Sequence, residues 1–315
     1  MPDISVIIPI YKEKKEYFEQ AIESVLNQSI KNIEILCIID GAAPEITPLI
    51  ETFCKSDKRI KFFKNSHKGP GKTRNFGIKK ARGKYIAFMD SDDYYPSQDV
   101  LESLFSVAEE TKIKVVGGKT LFESPAGLEP PHWFFKNYEK LFSDKAVQLK
   151  DYQLCWGYWC FIYEREFILK NRIYFPDYMR YQDPPWFLKA LNKAGVFYAM
   201  DKVTYIHREQ EGRNWLNSNR KVKDHFKGIS DVLQYSAKNH LDDLHNFIYK
   251  KFLTNDENIL KNIKTTFFIS KAGIINHILK SIDPSIINKS DEELPYFKNY
   301  KDYKNRRSLY NLIDH

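Results

Sequence analysis

Three aspartates lie within four residues of one another, in the sequence Asp90-Ser91-Asp92-Asp93. They follow the apolar run 85–89, which is typical of a buried strand. Three ionised carboxylates this close together repel one another unless a cation or strong hydrogen-bond donors neutralise them. Hard oxygen ligands at the end of a strand suit Mg²⁺ or Mn²⁺, which often bind substrate phosphates as well. We therefore expect a metal–nucleotide site here; the alternative, a helix N-cap, explains one aspartate but not three.

The segment 66–73 reads SHKGPGKT and lies between a predicted strand and a predicted helix. It is close to the P-loop of nucleotide-binding ATPases, in which a glycine-rich backbone surrounds phosphate. That pattern requires a glycine where this chain has Ser66. A P-loop would also leave Asp40 and everything after residue 120 unexplained, so we keep it only as an alternative. Gly69 gives the backbone freedom to approach a ligand closely, or simply to turn.

Three single residues further along the chain have side chains suited to catalysis. Arg74 follows the glycine turn, where a guanidinium suits bidentate contact with a diphosphate; the alternative is an ordinary surface charge. Asp183 precedes two prolines, a position where an aspartate suits a helix N-cap. His207 follows a predicted strand and is either a metal ligand or a structural histidine.

Some of the tryptophans are candidates for stacking against a sugar ring, because a flat aromatic face matches the C–H face of a pyranose. Core packing is the alternative for each of them. The candidates are Trp156, Trp159 and Trp186.

The elements that must position these residues alternate regularly between strand and helix over residues 1–120. We predict strands at 4–10, 33–39, 60–63, 85–89 and 113–116, and helices at 17–27, 46–54, 72–81 and 100–110. Such alternation predicts an α/β fold with a doubly wound, mainly parallel sheet. Ligands of such sheets bind outside the carboxyl ends of the strands. Tyr11, Asp40 and the aspartate cluster should therefore lie at one edge of the sheet.

The composition is that of an ordinary globular protein, 43% hydrophobic and 29% charged. The net charge of +8 favours anionic partners, but no Lys/Arg block supports nucleic-acid binding. The four cysteines lack metal-ligand spacing and suit a reducing cytoplasm. We find no signal peptide and no apolar run of about 18 residues, so we expect a cytoplasmic protein that meets a membrane only peripherally.

Three sequence motifs resemble those of family 2 glycosyltransferases, an inverting group with the GT-A fold that includes bacterial capsule and lipooligosaccharide enzymes. ISVIIPIYKE resembles the family's first strand, with Pro9 and Tyr11 matching and Lys12 replacing Asn. CIIDGAAPE resembles the second-strand motif, with Asp40 matching. The segment 65–93, which contains Gly69, Arg74 and the aspartate cluster, matches the family's longest motif almost throughout.

The resemblance implies a nucleotide diphosphate sugar donor, expected to be a UDP-sugar, and an Mn²⁺ or Mg²⁺ cofactor. It implies that Asp40 recognises the base, that Asp90 contacts the ribose side, and that Asp92 binds the metal within the Asp90-Ser91-Asp92 element. Residues 179–186 resemble the family's Glu-Asp motif, so Asp183 becomes the base, with Gln182 in place of the usual Glu. In some family members the region of His207 supplies a metal ligand or a phosphate contact.

The resemblance also implies a domain organisation. We predict a catalytic domain over residues 1–215, with a nucleotide-sugar half (1–120) and an acceptor half (121–215), followed by a helical extension over 216–315. The expected acceptor is a glycan or lipid-linked glycan. The extension either packs against protein or lies on an anionic membrane through segments such as 250–253 and 265–269.

Three functions other than glycosyl transfer are alternatives for this sequence. A sugar nucleotidyltransferase should carry a Gly- and Arg-rich loop after its first strand, and IYKEKKEYFEQ has none. A P-loop ATPase is the second alternative. The third is a carbohydrate-binding protein without catalysis, which the presence of Asp92 and Asp183 disfavours.

Overall fold

The computed structural model describes residues 1–131, 141–151, 153, 155–209, 218–252 and 271–287. The chain divides into two compact units. The first contains Met1–Tyr152, Trp156–Asp177 and Trp186–Arg213, and the second contains Gln153–Cys155, Tyr178–Pro185 and Asn214–His315. The break near residue 214 lies beside the sequence-predicted one, but two short segments of the predicted acceptor half belong to the second unit.

The strands are β1 (Ile4–Ile10), β2 (Ile33–Asp40), β3 (Ile60–Asn65), β4 (Tyr85–Phe88), β5 (Val115–Ser124), β6 (Gly127–Glu129), β7 (Lys145–Gln148), β8 (Phe161–Glu164) and β9 (Val196–Arg208). The helices are α1 (Lys15–Leu26), α2 (Thr47–Ser56), α3 (Pro70–Lys80), α4 (Val100–Thr111), α5 (Arg165–Lys170), α6 (Asp183–Ala194), α7 (Asn219–Lys238), α8 (Asp242–Lys251), α9 (Lys271–Leu279) and α10 (Pro284–Ile287).

The strands form one sheet in the order β3-β2-β1-β4-β8-β5-β9-β7, with β6 paired to β5. The first four strands in this order are parallel, as predicted, because a helix connects each to the next along the chain. Beyond β4, β8 runs antiparallel to both β4 and β5, and β9 runs parallel to β5. β1, β2 and β4 are almost wholly buried, as their largely apolar sequences predicted.

Strand β5 extends further than the sequence predicted. The predicted strand ends at Val116, whereas β5 continues through Gly117 and Gly118 to Ser124, although glycine weakens strands. In the structure a Cβ on Gly117 would lie 2.1 Å from the ring of Phe161, and one on Gly118 would lie 2.4 Å from the carbonyl oxygen of Lys202. Close packing by neighbouring strands therefore requires glycine at both positions.

Helix α3 packs closely against β1 and β2 through Gly77. A Cβ at this position would lie 2.4 Å from Cγ2 of Ile7 and 2.9 Å from Cδ1 of Ile38. The glycine thus fixes the distance between α3 and the sheet. Since Arg74 is one turn earlier on the same helix, this contact also sets the height of its side chain above the strand ends.

The described residues of the second unit from 218 onwards are mainly helical. The apolar residues of α7 and α8 are mostly buried, including Ile229, Val232, Leu233, Leu244 and Ile248. His245 of α8 connects its elements, since its Nδ1 lies 3.0 Å from the Leu233 carbonyl oxygen and its Nε2 accepts a hydrogen bond from the Asp283 N–H. Burial lowers the pKa of His245, which favours this neutral form.

Peripheral membrane binding by the second unit stays a prediction. Segment 265–269 and residue 253 lie outside the described residues. In the part of the chain that the structure does describe, the helices are too short or too polar to cross a bilayer.

We predict that Gly77→Ala lowers the free energy of unfolding by about 2 kcal/mol, because overpacking against β1 and β2 outweighs the gain of about 1 kcal/mol in helix propensity. Urea denaturation measures the change. Lys79→Ala, at an exposed position on the same helix, is the control and should stay within about 0.5 kcal/mol of the wild type. A stabilised Gly77→Ala variant would contradict the packing described here.

Candidate active site

The carboxyl ends of β1 to β4 lie side by side, as the sequence predicted. Pairing of Asp40 with Asn65 brings the ends of β2 and β3 together. Pairing of Ile7 with Phe88 brings the ends of β1 and β4 together. β1 contains the half-buried Pro9, and β4 is followed by the aspartate cluster. The first unit therefore concentrates the predicted donor-binding residues at one edge of its sheet.

Asp40 holds the turn that leads into α3. Its Oδ1 accepts a hydrogen bond from the N–H of Lys68 (2.7 Å), and its Oδ2 accepts one from the N–H of Gly69 (2.9 Å). Gly69 has a φ of 92°, which favours glycine. The carboxylate is 3% exposed. Asp40 thus shapes the glycine turn, a role that the sequence analysis did not assign to it.

An aromatic pair lies next to this carboxylate. The rings of Tyr11 and His67 stack with centroids 4.5 Å apart, and Nδ1 of His67 is 3.0 Å from Oδ2 of Asp40. Tyr11 is 42% exposed, so a planar ligand can reach this pair from solvent. Lys12 follows with a φ of 50°, a conformation that Asn adopts more readily than Lys. His67 had no predicted role, although it lies within the segment 66–73.

The glycine turn does not have the side-chain arrangement of a P-loop. Lys72 forms an ion pair with Asp177 (2.6 Å), and the hydroxyl of Thr73 donates to the carbonyl oxygen of Gly69 (2.9 Å). The lysine and threonine that a P-loop would use on phosphate and magnesium are thus engaged within the protein.

Arg74 is buried, which rules out the alternative of a surface charge. It is 5% exposed, and its Nη2 donates to Oδ1 of Asp90 at 2.5 Å. The guanidinium also lies over the rings of Tyr158 and Phe175, at 5.3 and 5.6 Å from their centroids. Burial alone would raise the pKa of Asp90, but the charge and hydrogen bond of Arg74 outweigh it and hold the pKa below its usual value. Asp90 is therefore ionised and paired.

Strand β9 binds Asp93, the last member of the cluster. The hydroxyl of Tyr205 donates to its Oδ2 (2.9 Å), Nδ1 of His207 lies 3.0 Å from the same oxygen, and the N–H of Arg208 donates to its Oδ1 (2.8 Å). Asp93 is fully buried. These contacts give the carboxylate a positioning role for His207.

The guanidinium of Arg208 also binds the aspartate cluster. It donates to the backbone oxygen of Asp92 (2.7 Å), to Oε2 of Glu123 (2.8 Å) and to Oε1 of Gln20 (2.6 Å). These contacts fix the backbone on which the Asp92 side chain stands. The guanidinium of Arg208 is thus buried and engaged within the protein.

His207 lies among the aspartates and is supported by aromatic rings. Its ring stacks on Trp159 with centroids 5.2 Å apart. Burial alone would lower its pKa, but the carboxylates of Asp93, Asp92 and Asp90 outweigh it and raise the pKa of His207 to about 9. The imidazole is protonated at neutral pH in this state, and binding a cation through it would require that proton to leave.

The three candidate tryptophans, Trp156, Trp159 and Trp186, are in the interior rather than on an open acceptor surface. Trp186 is 1% exposed, stacks on Phe175 at 4.4 Å, and donates from its indole N–H to the carbonyl oxygen of Ile173. Its predicted role in stacking on an acceptor is corrected to core packing, because both ring contacts and hydrogen bond are used internally. Trp156 and Trp159 are buried too, at 6% and 7% exposure.

The indole N–H of Trp159 differs from that of Trp186. It is buried, and within the described ranges no protein hydrogen-bond acceptor pairs with it. A buried donor without a partner is costly, so water or a bound ligand is the natural acceptor. If Trp159 contacts a substrate, it does so through this N–H, since its ring packs on His207.

Asp183 lies in the second unit, at the first residue of α6. It is half-buried, whereas the preceding Gln182 is 7% exposed. The following Pro184 and Pro185 fit the first turn of a helix, where their missing N–H groups have no partner to lose. A carboxylate at this position can serve as a helix cap and still reach solvent.

The donor set around Asp92 suits a divalent cation. Among the described residues no group of three or more His, Cys, Asp or Glu side chains forms a ready metal cage. Mg²⁺ sites commonly need only one or two carboxylates, with water and substrate phosphates completing the coordination. Asp92, at 8% exposure, and His207 carry an oxygen and a nitrogen of the kind that Mn²⁺ binds.

The family model "Glycosyl transferase family 2" matches residues 5–170, just over half of the chain. This chain belongs to glycosyltransferase family 2. The resemblance seen in the three sequence motifs is confirmed, and with it the enzyme class. The alternatives of a P-loop ATPase, a nucleotidyltransferase and a non-enzymatic sugar-binding protein are therefore dropped.

Two curated relatives from Bacillus subtilis (strain 168) cover much of the chain. The uncharacterised glycosyltransferase EpsJ is 31% identical over 246 residues, which make up 76% of this chain and 69% of EpsJ. The minor teichoic acid biosynthesis protein GgaA is 27% identical over 324 residues, covering 94% of this chain and 70% of GgaA. Both matches extend well beyond the residues of the family model.

The fold is shared with a solved structure. S. aureus TarS residues 1–349 in complex with UDP superpose with a TM-score of 0.78 at 19% identity, covering 100% of this chain and 90% of that one. At this identity the likeness establishes the fold, and it confirms the predicted GT-A architecture with a helical C-terminal region.

The structure also identifies site residues that the sequence analysis did not select. Tyr158 donates to Asp90, Tyr205 connects Asp90 to Asp93, and Glu123 binds Arg208. Tyr205 and His207 are two residues apart on a strand, so their shared face was predictable. The long-range partners were not, because nothing local to Glu123 or Tyr158 marks them.

We predict that Asp93→Asn lowers the free energy of unfolding by about 3 kcal/mol, because an amide group cannot accept all the buried donors of β9. The pKa of His207, measured by NMR titration, should fall from about 9 towards its ordinary value.

The control for this prediction is Asp99→Asn. Asp99 is an exposed aspartate that pairs with Lys202, so its loss should cost at most about 0.5 kcal/mol. An unchanged pKa of His207 in Asp93→Asn would show that the pair described here does not govern its protonation.

Proposed function

We propose that this chain is an inverting glycosyltransferase that moves a sugar from a UDP-sugar to a hydroxyl of a cell-surface polysaccharide or related glycan. The proposal is carried by the aspartate cluster, in which Arg74 holds Asp90, β9 holds Asp93, and the charge of Asp92 acts on the nearby His207. A buried site with this arrangement suits a diphosphate accompanied by a divalent cation. Family membership supplies the reaction class.

The donor is proposed to bind at the strand ends of the first unit. The exposed ring of Tyr11 provides a stacking surface for the uracil, next to Asp40 and His67. Asp90 is proposed to contact the ribose, and Arg74 the diphosphate. The uridine identity rests on the family resemblance and on the TarS complexes with UDP and UDP-GlcNAc, which share the fold.

The divalent cation is proposed to be Mn²⁺ or Mg²⁺, held by Asp92 and, after it loses its proton, by His207. When bound, such a cation neutralises the charge that develops on the departing diphosphate. The residues of this chain prepare the site for it: Arg208 fixes the backbone of Asp92, and Asp93 orients His207 through Nδ1. Orientation of a ligating histidine by a carboxylate on its other ring nitrogen is a general feature of metal sites.

Asp183 is proposed as the general base. It would take the proton of the acceptor hydroxyl while the hydroxyl oxygen forms a bond to the anomeric carbon and the bond to the diphosphate breaks. One displacement of this kind inverts the anomeric configuration and releases UDP. Gln182 in place of the family's Glu removes a neighbouring charge, which favours the ionised carboxylate that a base requires.

The acceptor is proposed to be a glycan or lipid-linked glycan. The match to GgaA, a minor teichoic acid biosynthesis protein, supports a cell-surface polymer. The net charge of +8 is compatible with an anionic acceptor of this type.

A panel of nucleotide sugars, assayed with Mn²⁺ and with chelator, tests the donor and the base together. We expect metal-dependent transfer or hydrolysis with a UDP-sugar. Asp183→Asn should bind UDP as the wild type does but lose transfer by about 10²- to 10⁴-fold, the usual contribution of a general base.

The control is Asp177→Asn, which changes an exposed aspartate nearby in sequence and should keep transfer activity. Binding of ATP but of no nucleotide sugar would contradict the proposed donor. Full transfer by Asp183→Asn would exclude that residue as the base while leaving the donor site intact.

A further inference from the structure

Helix α7 contacts the loop before Asp183 along a single face. Within the second unit, Asp224, Gly228 and Asp231 of α7 all touch residues 178–181. Positions separated by four and then three residues lie on one stripe of a helix. The loop therefore runs along this stripe, and three separate contacts fix it to the helix.

Two carboxylates of α7 bind the start of the loop. Oδ2 of Asp224 accepts a hydrogen bond from the backbone N–H of Met179 (2.8 Å), and Oδ2 of Asp231 accepts one from the hydroxyl of Tyr178 (2.6 Å). Tyr178 and Asp224 are buried, at 7% and 9% exposure. Hydrogen bonds to ionised acceptors are stronger than neutral ones, and burial protects them from competing water.

Gly228 allows the backbone of the loop to approach α7. A Cβ at this position would lie 2.5 Å from the carbonyl oxygen of Tyr181 and 2.8 Å from its Cδ1. Glycine inside a helix costs about 1 kcal/mol relative to alanine. The clash is with backbone, which no rotamer change can relieve, so any side chain here must displace the loop.

The loop reaches Asp183 through a constrained conformation. Tyr181 has a φ of 61°, which a non-glycine residue adopts only when its surroundings hold it there. Its ring meets the edge of His225 on α7, with centroids 4.9 Å apart. Pro184 and Pro185 lock φ on the other side of Asp183. The carboxylate is thus bounded by α7 contacts upstream and by prolines downstream.

We propose that α7 positions the catalytic base, with Gly228 and Tyr178–Asp231 setting where the carboxylate of Asp183 stands during transfer. This inference rests on the proposed role of Asp183. It gives the C-terminal extension a part in catalysis: Gly228 and Asp231 are positioning residues that touch no substrate and act only through the loop. A base displaced by about 1 Å can lose about 10²-fold in rate.

The test measures transfer by Gly228→Ala and by Tyr178→Phe, each alone and combined with Asp183→Asn. We expect Gly228→Ala to lower kcat about 10- to 100-fold and Tyr178→Phe about 3- to 10-fold, with the KM for the donor and the Kd for UDP within about 2-fold of the wild type. In the Asp183→Asn background neither should lower the residual rate further, because a residue that acts through the base has nothing left to position. Lys223→Ala, at an exposed position of α7, is the matched control.

Each other outcome overturns a specific step. If Asp183→Asn abolishes transfer but both loop variants keep wild-type kcat, the positioning role is wrong and the base stands. If the loop variants lower the residual rate of Asp183→Asn by the same factor as in the wild type, they act on general stability instead. If Asp183→Asn transfers normally, the base assignment itself fails. Tyr178→Phe removes a single hydroxyl, so it keeps the test decisive even where Gly228→Ala does not fold.

Discussion

Repulsion among the carboxylates at the end of β4 is the constraint on which the first unit depends. Asp90, Asp92 and Asp93 follow a buried strand, and three such charges are unstable together without partners. The fold gives each a different environment: Arg74 neutralises Asp90, β9 surrounds Asp93 with donors, and the backbone of Asp92 is fixed by Arg208. Together the three carboxylates raise the pKa of the neighbouring His207 to about 9.

Several otherwise unrelated features of the fold serve this arrangement. α3 must lie close to the sheet for Arg74 to reach Asp90, and Gly77 permits that approach. β9 must run beside β5 for its last residues to meet the cluster, and the two glycines of β5 permit the close packing of its neighbours. Asp40 shapes the turn at the start of α3. Small residues at packed positions and buried charges at strand ends thus depend on each other.

Much of this could be predicted from sequence because the signals are local. Apolar runs predicted the strands β1, β2 and β4. The aspartates after β4 predicted which edge of the sheet carries the ligand site. For Arg74 the sequence allowed either a diphosphate contact or a surface charge, because only the tertiary structure shows that its side chain is buried. Trp186 was a candidate for stacking on a sugar. In the structure its ring is buried and stacks on Phe175 instead. The α7 contacts to residues 178–181 join segments more than 40 positions apart, which a single sequence does not reveal.

We propose that Asp92, supported by Arg208 and Asp93, forms the metal site of the donor. Calorimetric titration of UDP measures whether it does. With Mn²⁺ present, the wild type and Asp99→Asn should bind UDP alike, and chelator should abolish most of that binding. Asp92→Asn should weaken Mn²⁺-dependent binding at least about 10-fold, equivalent to about 1.4 kcal/mol. Equal UDP affinity in the wild type and Asp92→Asn, unaffected by chelator, would contradict the account.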